Sequence, residues 1–286
     1  MTLKHYLQKA QKENWAIGQF NFSTLEQLRG ILAAAAKLES PVILGTSHGE
    51  SQYLGIREII ALVEISKMKY KVPAFLNLDH AKDFQDIKTA IDYGYPGVHF
   101  DGSDLPLEKN IEYAKKVMRY ARKKNVLVEG EVGAIGTESS KIYRKFKLNK
   151  SNLTKPEDAE RFVKETGVDS LAISIGNFHG VKTKGKNPRL QIERLREIKE
   201  RTGNTFLVLH GGSGTRDDDI RKAISAGIVK ININTELRLA YANGIKKNFQ
   251  KRNPEIAPYK YLFSAMEAVQ KKVEEKIKLF GSVGKI

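Results

Sequence analysis

Eight short β-branched runs alternate with stretches of helical periodicity, and this alternation limits the fold more than any other feature of the chain. Strands are expected at 17–22, 41–46, 74–78, 97–100, 126–129, 170–175, 205–209 and 229–233. Helices are expected between them at 25–38, 56–70, 84–93, 107–124, 159–166, 192–201 and 217–226, and from Glu236 the chain reads as mostly helical. The runs have the character of strands buried on both faces, and each leads into a helix, so the sheet is parallel with helical crossovers. Eight such units in 286 residues favour closure into an α/β barrel, the (β/α)8 or TIM barrel, which typically takes about 250 residues. The expectation is a single domain over 1–286 with a C-terminal helical extension. Two segments fit the pattern least, 133–155 and 251–259; the first has the length and charge of a mobile active-site loop or of a disordered insert.

With 41% hydrophobic content the chain can bury a sizeable core. No stretch approaches the roughly 18 apolar residues of a membrane span, and the N-terminus runs into an amphipathic helix without a signal-peptide apolar block. Cysteine is absent, which removes disulfides, thiolate ligands and a thiol nucleophile. A cytoplasmic location is expected. The net charge of +16 raises nucleic acid as a partner. The basic residues, however, are spread along predicted helices, as at Lys109, Lys115, Lys116 and Arg122, with one concentration at 141–150. No zinc-finger, RNP-like or basic-zipper pattern occurs, so no specific nucleic acid is expected. A positive field also suits a phosphorylated substrate.

Barrel active sites are built at the carboxyl ends of the strands. Here those ends carry Asp79 and His80 (third strand), Asp101 (fourth), Glu129 and Glu131 (fifth), His179 (after the sixth), His210 (seventh) and Asn232 (eighth). Three of the chain's six histidines lie at these mouths. Neutral imidazoles suit Zn²⁺, and three protein ligands leave a position open for substrate. Each histidine alone could equally be a hydrogen-bonded rim residue. Asp101 and Glu131 could bind a second metal, orient the histidines, or form rim salt bridges. Lys230 lies two residues from Asn232 on one strand face, so a Schiff-base lysine stays open. The glycine-rich turn 210–214 and the turn 232–235 each lead into a helix, where backbone N–H groups can surround a phosphate.

The chain resembles the class II, zinc-dependent fructose-bisphosphate and tagatose-bisphosphate aldolases along nearly its full length. The resemblance rests on Gly18 to Asn21, Leu78-Asp79-His80, Phe100 to Ser103, Val128 to Gly133, Thr166 to Ala172, Gly176 with His179-Gly180, Leu209 to Gly214, Lys230 to Asn232 with Thr235 to Leu237, and Lys278 to Ser282. It implies that His80, His179 and His210 bind catalytic zinc, that Asp101 and Glu131 form a second divalent position, and that Asp79 is the catalytic acid. A monovalent cation is a further cofactor it allows. Gly180, Gly211, Gly212, Ser213, Asn232, Ile233, Asn234 and Thr235 would form the dihydroxyacetone-phosphate site, Ser47 would touch substrate, and Glu138 would exchange the substrate proton from a loop. The implied reaction is reversible cleavage of fructose 1,6-bisphosphate to dihydroxyacetone phosphate and glyceraldehyde 3-phosphate. The alternative is tagatose bisphosphate, or another dihydroxyacetone-phosphate aldolase with a different acceptor. A homodimer or homotetramer is implied as well.

Two positions depart from the family pattern. Tyr259 stands where an arginine usually grips the distal phosphate, and tyrosine offers no cationic fork. Arg252, Lys260 or a loop lysine could compensate, or the acceptor could lack a phosphate. Gly136-Thr137-Glu138 replaces the usual diglycine and acidic run. Two rival classes remain: a metal-dependent barrel hydrolase, which would commonly show a His-x-His pair that is missing here, and a scaffold or nucleic-acid-binding barrel that has lost activity.

Overall fold

The computed structural model describes residues 1–135, 140–143, 150–182 and 187–286. In chain order the elements are α1 (Leu3–Glu13), β1 (Ile17–Asn21), α2 (Leu25–Lys37), β2 (Val42–Ser47), α3 (His48–Leu54), α4 (Ile56–Tyr70), β3 (Ala74–Ala81), α5 (Phe84–Asp92), β4 (Gly97–Phe100), α6 (Leu107–Arg122) and β5 (Leu127–Val132). There follow β6 (Ile142–Tyr143), a 3₁₀ turn, α7 (Pro156–Thr166), β7 (Ser170–Ile173), β8 (Val181–Lys182), α8 (Ile192–Thr202), β9 (Phe206–Leu209), α9 (Asp217–Ser225), β10 (Ile228–Ile233), α10 (Thr235–Phe249) and α11 (Pro258–Phe280).

Eight strands close a barrel in the order β1-β10-β9-β7-β5-β4-β3-β2, every neighbour pair parallel. This is the expected (β/α)8 barrel. Strands β1, β7, β9 and β10 are buried at every residue, because helices cover the outer face and side chains fill the inside. Two features fall outside the sequence expectation. The short helix α3 follows β2 directly, and β6 pairs with β8 in a separate two-stranded sheet. The helical tail breaks at 250–257, between α10 and α11, in a region where the sequence pattern fits least.

The main apolar core lies between strands and helices and includes Leu28, Ile31, Val98, Leu171, Leu207 and Ile231. A second cluster closes the opposite end of the barrel. There Leu3, Tyr6, Leu7 and Ala10 of α1, with Trp15, pack against Ile17, Ile43, Phe206 and Val229 near the starts of four strands. Each fully buried large side chain in this plug contributes roughly 1.5–3 kcal/mol. The C-terminal helix α11 packs against α2 and α10. Contact with α10 depends on Gly244, where a Cβ would sit 2.5 Å from Ala265 Cα.

The barrel interior towards its carboxyl end is polar. Gln19, Asn77, His99, Glu129, Lys230 and Asn232 are all buried there. A parallel barrel filled with leucine would need none of these groups, and each polar atom placed there requires a partner. Where the partners come from defines the site.

Candidate active site

His80 lies near the end of β3 with φ of +52°, in the left-handed region that non-glycine residues rarely adopt. Its ring centroid is 4.6 Å from that of His210 and 4.7 Å from that of His179, while His179 and His210 are 6.0 Å apart. The three imidazoles predicted to meet therefore do meet. His80 Nε2 and His210 Nδ1 approach to 2.9 Å. The far side of each ring faces a carboxylate: His80 Nδ1 lies 3.1 Å from Asp101 Oδ2, and His210 Nε2 lies 2.7 Å from Glu129 Oε1. Such carboxylate–histidine pairs fix the tautomer and turn the opposite nitrogen inward.

Glu129 has no role in the sequence reading beyond its place at a strand end. In the structure its second oxygen accepts from Lys230 Nζ at 2.6 Å. Lys230, Glu129 and His210 thus form a buried chain running across β10, β5 and the end of β9. Burial pushes the Glu129 carboxyl up, but Lys230 and His210 hold it well below the usual carboxylate range. Lys230 is 3% exposed and committed to this pair. A buried ion pair is the simpler account of a lysine on this strand than a Schiff base.

Asp79 is held from two sides. Asn232 Nδ2 donates to Oδ1 at 3.1 Å and Asn21 Nδ2 to Oδ2 at 3.0 Å. Burial favours its neutral form, yet the neighbouring His80 imidazole outweighs burial and keeps the carboxyl well below its ordinary value. His179 and His210 are pushed down by burial and by neighbouring imidazoles. Both rings are therefore neutral at physiological pH, the form that ligates metals. His80 behaves otherwise. Burial opposes its charge, but Asp79 and Asp101 prevail and raise it above the ordinary imidazole value.

Asp79, His80, His179, Gly180, His210, Gly211, Ser213, Asn232, Asn234 and Thr235 line one cleft, together with Asn21. Gly211 has φ of +62°, and a Cβ there would lie 2.3 Å from the Phe178 carbonyl oxygen. Only glycine lets the His179 and His210 segments approach this closely. Asn177 ties the same segments together by donating to the His210 carbonyl at 3.0 Å. Gly212 and Ile233 stand behind the cleft wall: Gly212 donates to the Asn232 carbonyl at 3.1 Å, and Ile233 is fully buried. The Gly214 N–H is taken by Glu236 at 2.6 Å. The glycine-rich turn thus offers fewer N–H groups to an anion than its sequence suggests.

Ser47 pairs in register with Asp79, but it does not line this cleft. It caps α3 in a capping box, with its backbone N–H on Glu50 Oε2 at 2.8 Å. Glu50 is a further buried carboxylate, joined to Asn21 at 3.0 Å and Arg238 at 2.7 Å. Asp101 accepts from the Ser103 hydroxyl at 2.6 Å, and Glu131 lies within reach of His80 and Asp101 in a group whose donor atoms could share a cation. Glu138 lies outside the described residues. Tyr259 is 77% exposed, and Lys260 pairs with Glu255 at 3.3 Å; neither lines the cleft. No helix among the described residues is long and apolar enough to cross a membrane.

His99, one strand over from His80, is a second residue that the sequence reading does not single out. It is fully buried, and its Nδ1 accepts the His80 backbone N–H at 3.2 Å. Burial opposes charge on this ring, whereas Asp79, Glu131 and Glu129 favour it and by themselves would raise its value above that of an ordinary imidazole. A second proton would have to occupy Nδ1, where the His80 N–H already points, so the ring's proton belongs on Nε2.

Comparison with known proteins agrees with this architecture. Residues 1–285 match the family model for fructose-bisphosphate aldolase class-II. A fructose-bisphosphate aldolase of Streptococcus pneumoniae is 37% identical over 100% of this chain and 99% of its own length. A 6-phospho-5-dehydro-2-deoxy-D-gluconate aldolase of Bacillus subtilis is 39% identical over 100% of this chain and 97% of its own. The crystal structure of the YdjI aldolase from Escherichia coli K12 superposes with a TM-score of 0.86 at 31% identity, covering 100% of this chain and 99% of that one.

Proposed function

The chain belongs to the class-II fructose-bisphosphate aldolase family, and from that premise we propose that it reversibly cleaves fructose 1,6-bisphosphate to dihydroxyacetone phosphate and glyceraldehyde 3-phosphate. Membership makes it an aldolase, a carbon–carbon lyase acting on phosphorylated sugars. The observation that supports metal-dependent aldol chemistry is the meeting of His80, His179 and His210 beside an ionised Asp79 in one cleft.

The family is zinc-dependent in general, and the donor set here fits that ion: neutral imidazoles, carboxylates behind them, and no thiolate. In this reading His80, His179 and His210 hold the catalytic ion, and Asp101 and Glu131 with His80 suit a second divalent cation. Bound zinc supplies Lewis acidity that stabilises the negative charge left when the C3–C4 bond breaks. Asp79 accepts the C4 hydroxyl proton in cleavage and returns it in condensation. Asn232, already aimed at Asp79, hydrogen-bonds the enediolate. Gly180, Gly211, Ser213 and the start of α10 at Asn234 and Thr235 receive the ketone-side phosphate, with Gly212 and Ile233 shaping the wall. Glu138, which follows β5 in the sequence, exchanges the C3 proton, and Ser47 touches substrate only if its cap on α3 opens. Residues 1–286 act as one catalytic unit, assembled as a homodimer or homotetramer in the cytoplasm; gel filtration tests the assembly.

The direct assay is cleavage of fructose 1,6-bisphosphate and tagatose 1,6-bisphosphate by the purified protein. Activity should vanish with chelator, return with zinc, and leave no borohydride-trapped adduct. Chelator-resistant activity with trapping would transfer the chemistry to Lys230.

A second reading concerns the acceptor. Tyr259 stands where the family resemblance places a phosphate-gripping arginine, and the Bacillus subtilis relative is named for a substrate with a single phosphate. Comparing kcat/KM for substrates with and without the distal phosphate decides between the two.

The acid limb of the pH profile should follow metal loss rather than protonation of Asp79. Asp79 is held ionised far below neutrality, whereas the metal-free His80 takes a proton above the ordinary imidazole value. Falling pH therefore sets protons against zinc at His80, and apparent zinc affinity drops. Raising free zinc should shift the acid limb to lower pH; a limb that ignores zinc would contradict this account.

A further inference from the structure

We propose that His99 is a positioning residue that locks the metal-binding conformation of His80 and the carboxylate of Glu131. The proposal rests on the reading of His80 as a metal ligand. The β3–β4 ladder pairs Asn77 with Gly97 and Leu78 with Val98, then resumes at Ala81 with Phe100. Two residues of β3, Asp79 and His80, therefore oppose one residue of β4, His99. A bulge of this kind breaks the ladder and re-aims a side chain. Here it gives His80 its positive φ and takes its N–H out of the regular ladder.

The His99 side chain replaces the missing ladder acceptor. Its Nδ1 receives the His80 N–H at 3.2 Å. This leaves Nε2–H at the other end of the ring, 3.3 Å from Glu131 Oε2. Neither of those two atoms has a well-formed hydrogen bond among the described residues, so each is the other's nearest polar recourse in a fully buried place. One ring thus spans the backbone of one proposed ligand and the carboxylate of another. His99 does not line the cleft, so it acts through His80 and Glu131 rather than on substrate. Direct ligation by His99 is the weaker reading. The ring lies close enough to Asp79, His80 and His210 to share an ion, but Nδ1 is occupied and Nε2 carries the proton.

The test compares zinc binding by the metal-free full-length protein and its variants, using competition with a chromophoric chelator, Co²⁺ absorption spectra and thermal melts. His99→Leu keeps bulk and removes both polar ends; zinc affinity should fall roughly 10–100-fold, the usual cost of losing an outer-shell partner. His99→Asn puts a carbonyl near the Nδ1 position and should recover most of the affinity and a wild-type Co²⁺ spectrum. His99→Gln places its polar group near Nε2, so it should bind less tightly than His99→Asn. Wild-type affinity in His99→Leu overturns the proposal. If His99→Leu does not melt cooperatively, the comparison rests on the other two, and Gln equal to or better than Asn overturns it. Wild-type protein that binds zinc but cleaves no bisphosphate would refute the reaction and leave this inference standing. Failure of the wild type to bind zinc would refute both.

Discussion

Replacing Asp79 with alanine should lower turnover by about 10²–10⁴-fold, the usual contribution of a positioned general acid–base group, while zinc remains bound. Two amides, from Asn21 and Asn232, each donate to a separate oxygen of Asp79 at 3.0 and 3.1 Å. Amide donors on both oxygens favour the ionised carboxylate, which is a base ready for the C4 hydroxyl proton. The His80 imidazole beside it keeps it so despite burial. Asp79→Asn tests shape against charge: it keeps the outline, loses the base, and should be nearly as slow as the alanine variant. Steady-state turnover alongside zinc content by atomic absorption reads both effects. Unchanged turnover in zinc-loaded Asp79→Ala would remove this residue from the chemistry.

His210→Ala should lose both stoichiometric zinc and activity, leaving cleavage at the level of chelated wild type. The loss of affinity should exceed the roughly 10–100-fold cost of an outer-shell change, because a ligand itself is gone. His210 is fully buried and faces His80 through one nitrogen and Glu129 through the other. Removing the ring deprives Glu129 of a donor, but Lys230 still pairs with it at 2.6 Å, so no carboxylate is stranded without a cation. Folded protein that cannot hold zinc is therefore the expected outcome, checked by far-ultraviolet circular dichroism and metal analysis. Stoichiometric zinc in this variant would break the proposed ligand set.

The barrel is legible in the sequence because each strand and helix carries its own local signal, and the mouth of a barrel is a known place to look. Asp79, His80, His210 and Asn232 stand out because each sits at the carboxyl end of an apolar run. Glu129 and His99 are harder. Both lie within strands, where a run buried on both faces gives no period-2 cue to separate inside from outside. His99 also depends on a bulge that shifts register by one residue, and a bulge leaves no mark in a single sequence. Lys230 reads as a Schiff-base candidate because its partner sits about a hundred positions away, and only folding brings Glu129 to it. The α3 helix is hidden for a different reason. Its seven residues contain glycine and polar groups, and its start is set by the Ser47–Glu50 capping box rather than by apolar periodicity. The same box explains why Ser47, expected to face substrate, is engaged elsewhere.

The plug at the far end of the barrel has a practical consequence. Trp15 is the protein's single tryptophan, is 2% exposed, and is packed among α1 and the strand starts rather than beside the imidazoles. Its emission should therefore report unfolding of the barrel floor and stay nearly silent when the mouth gains or loses an ion. Titrations of every variant above thus come with a built-in optical control for integrity, spatially separated from the event being measured.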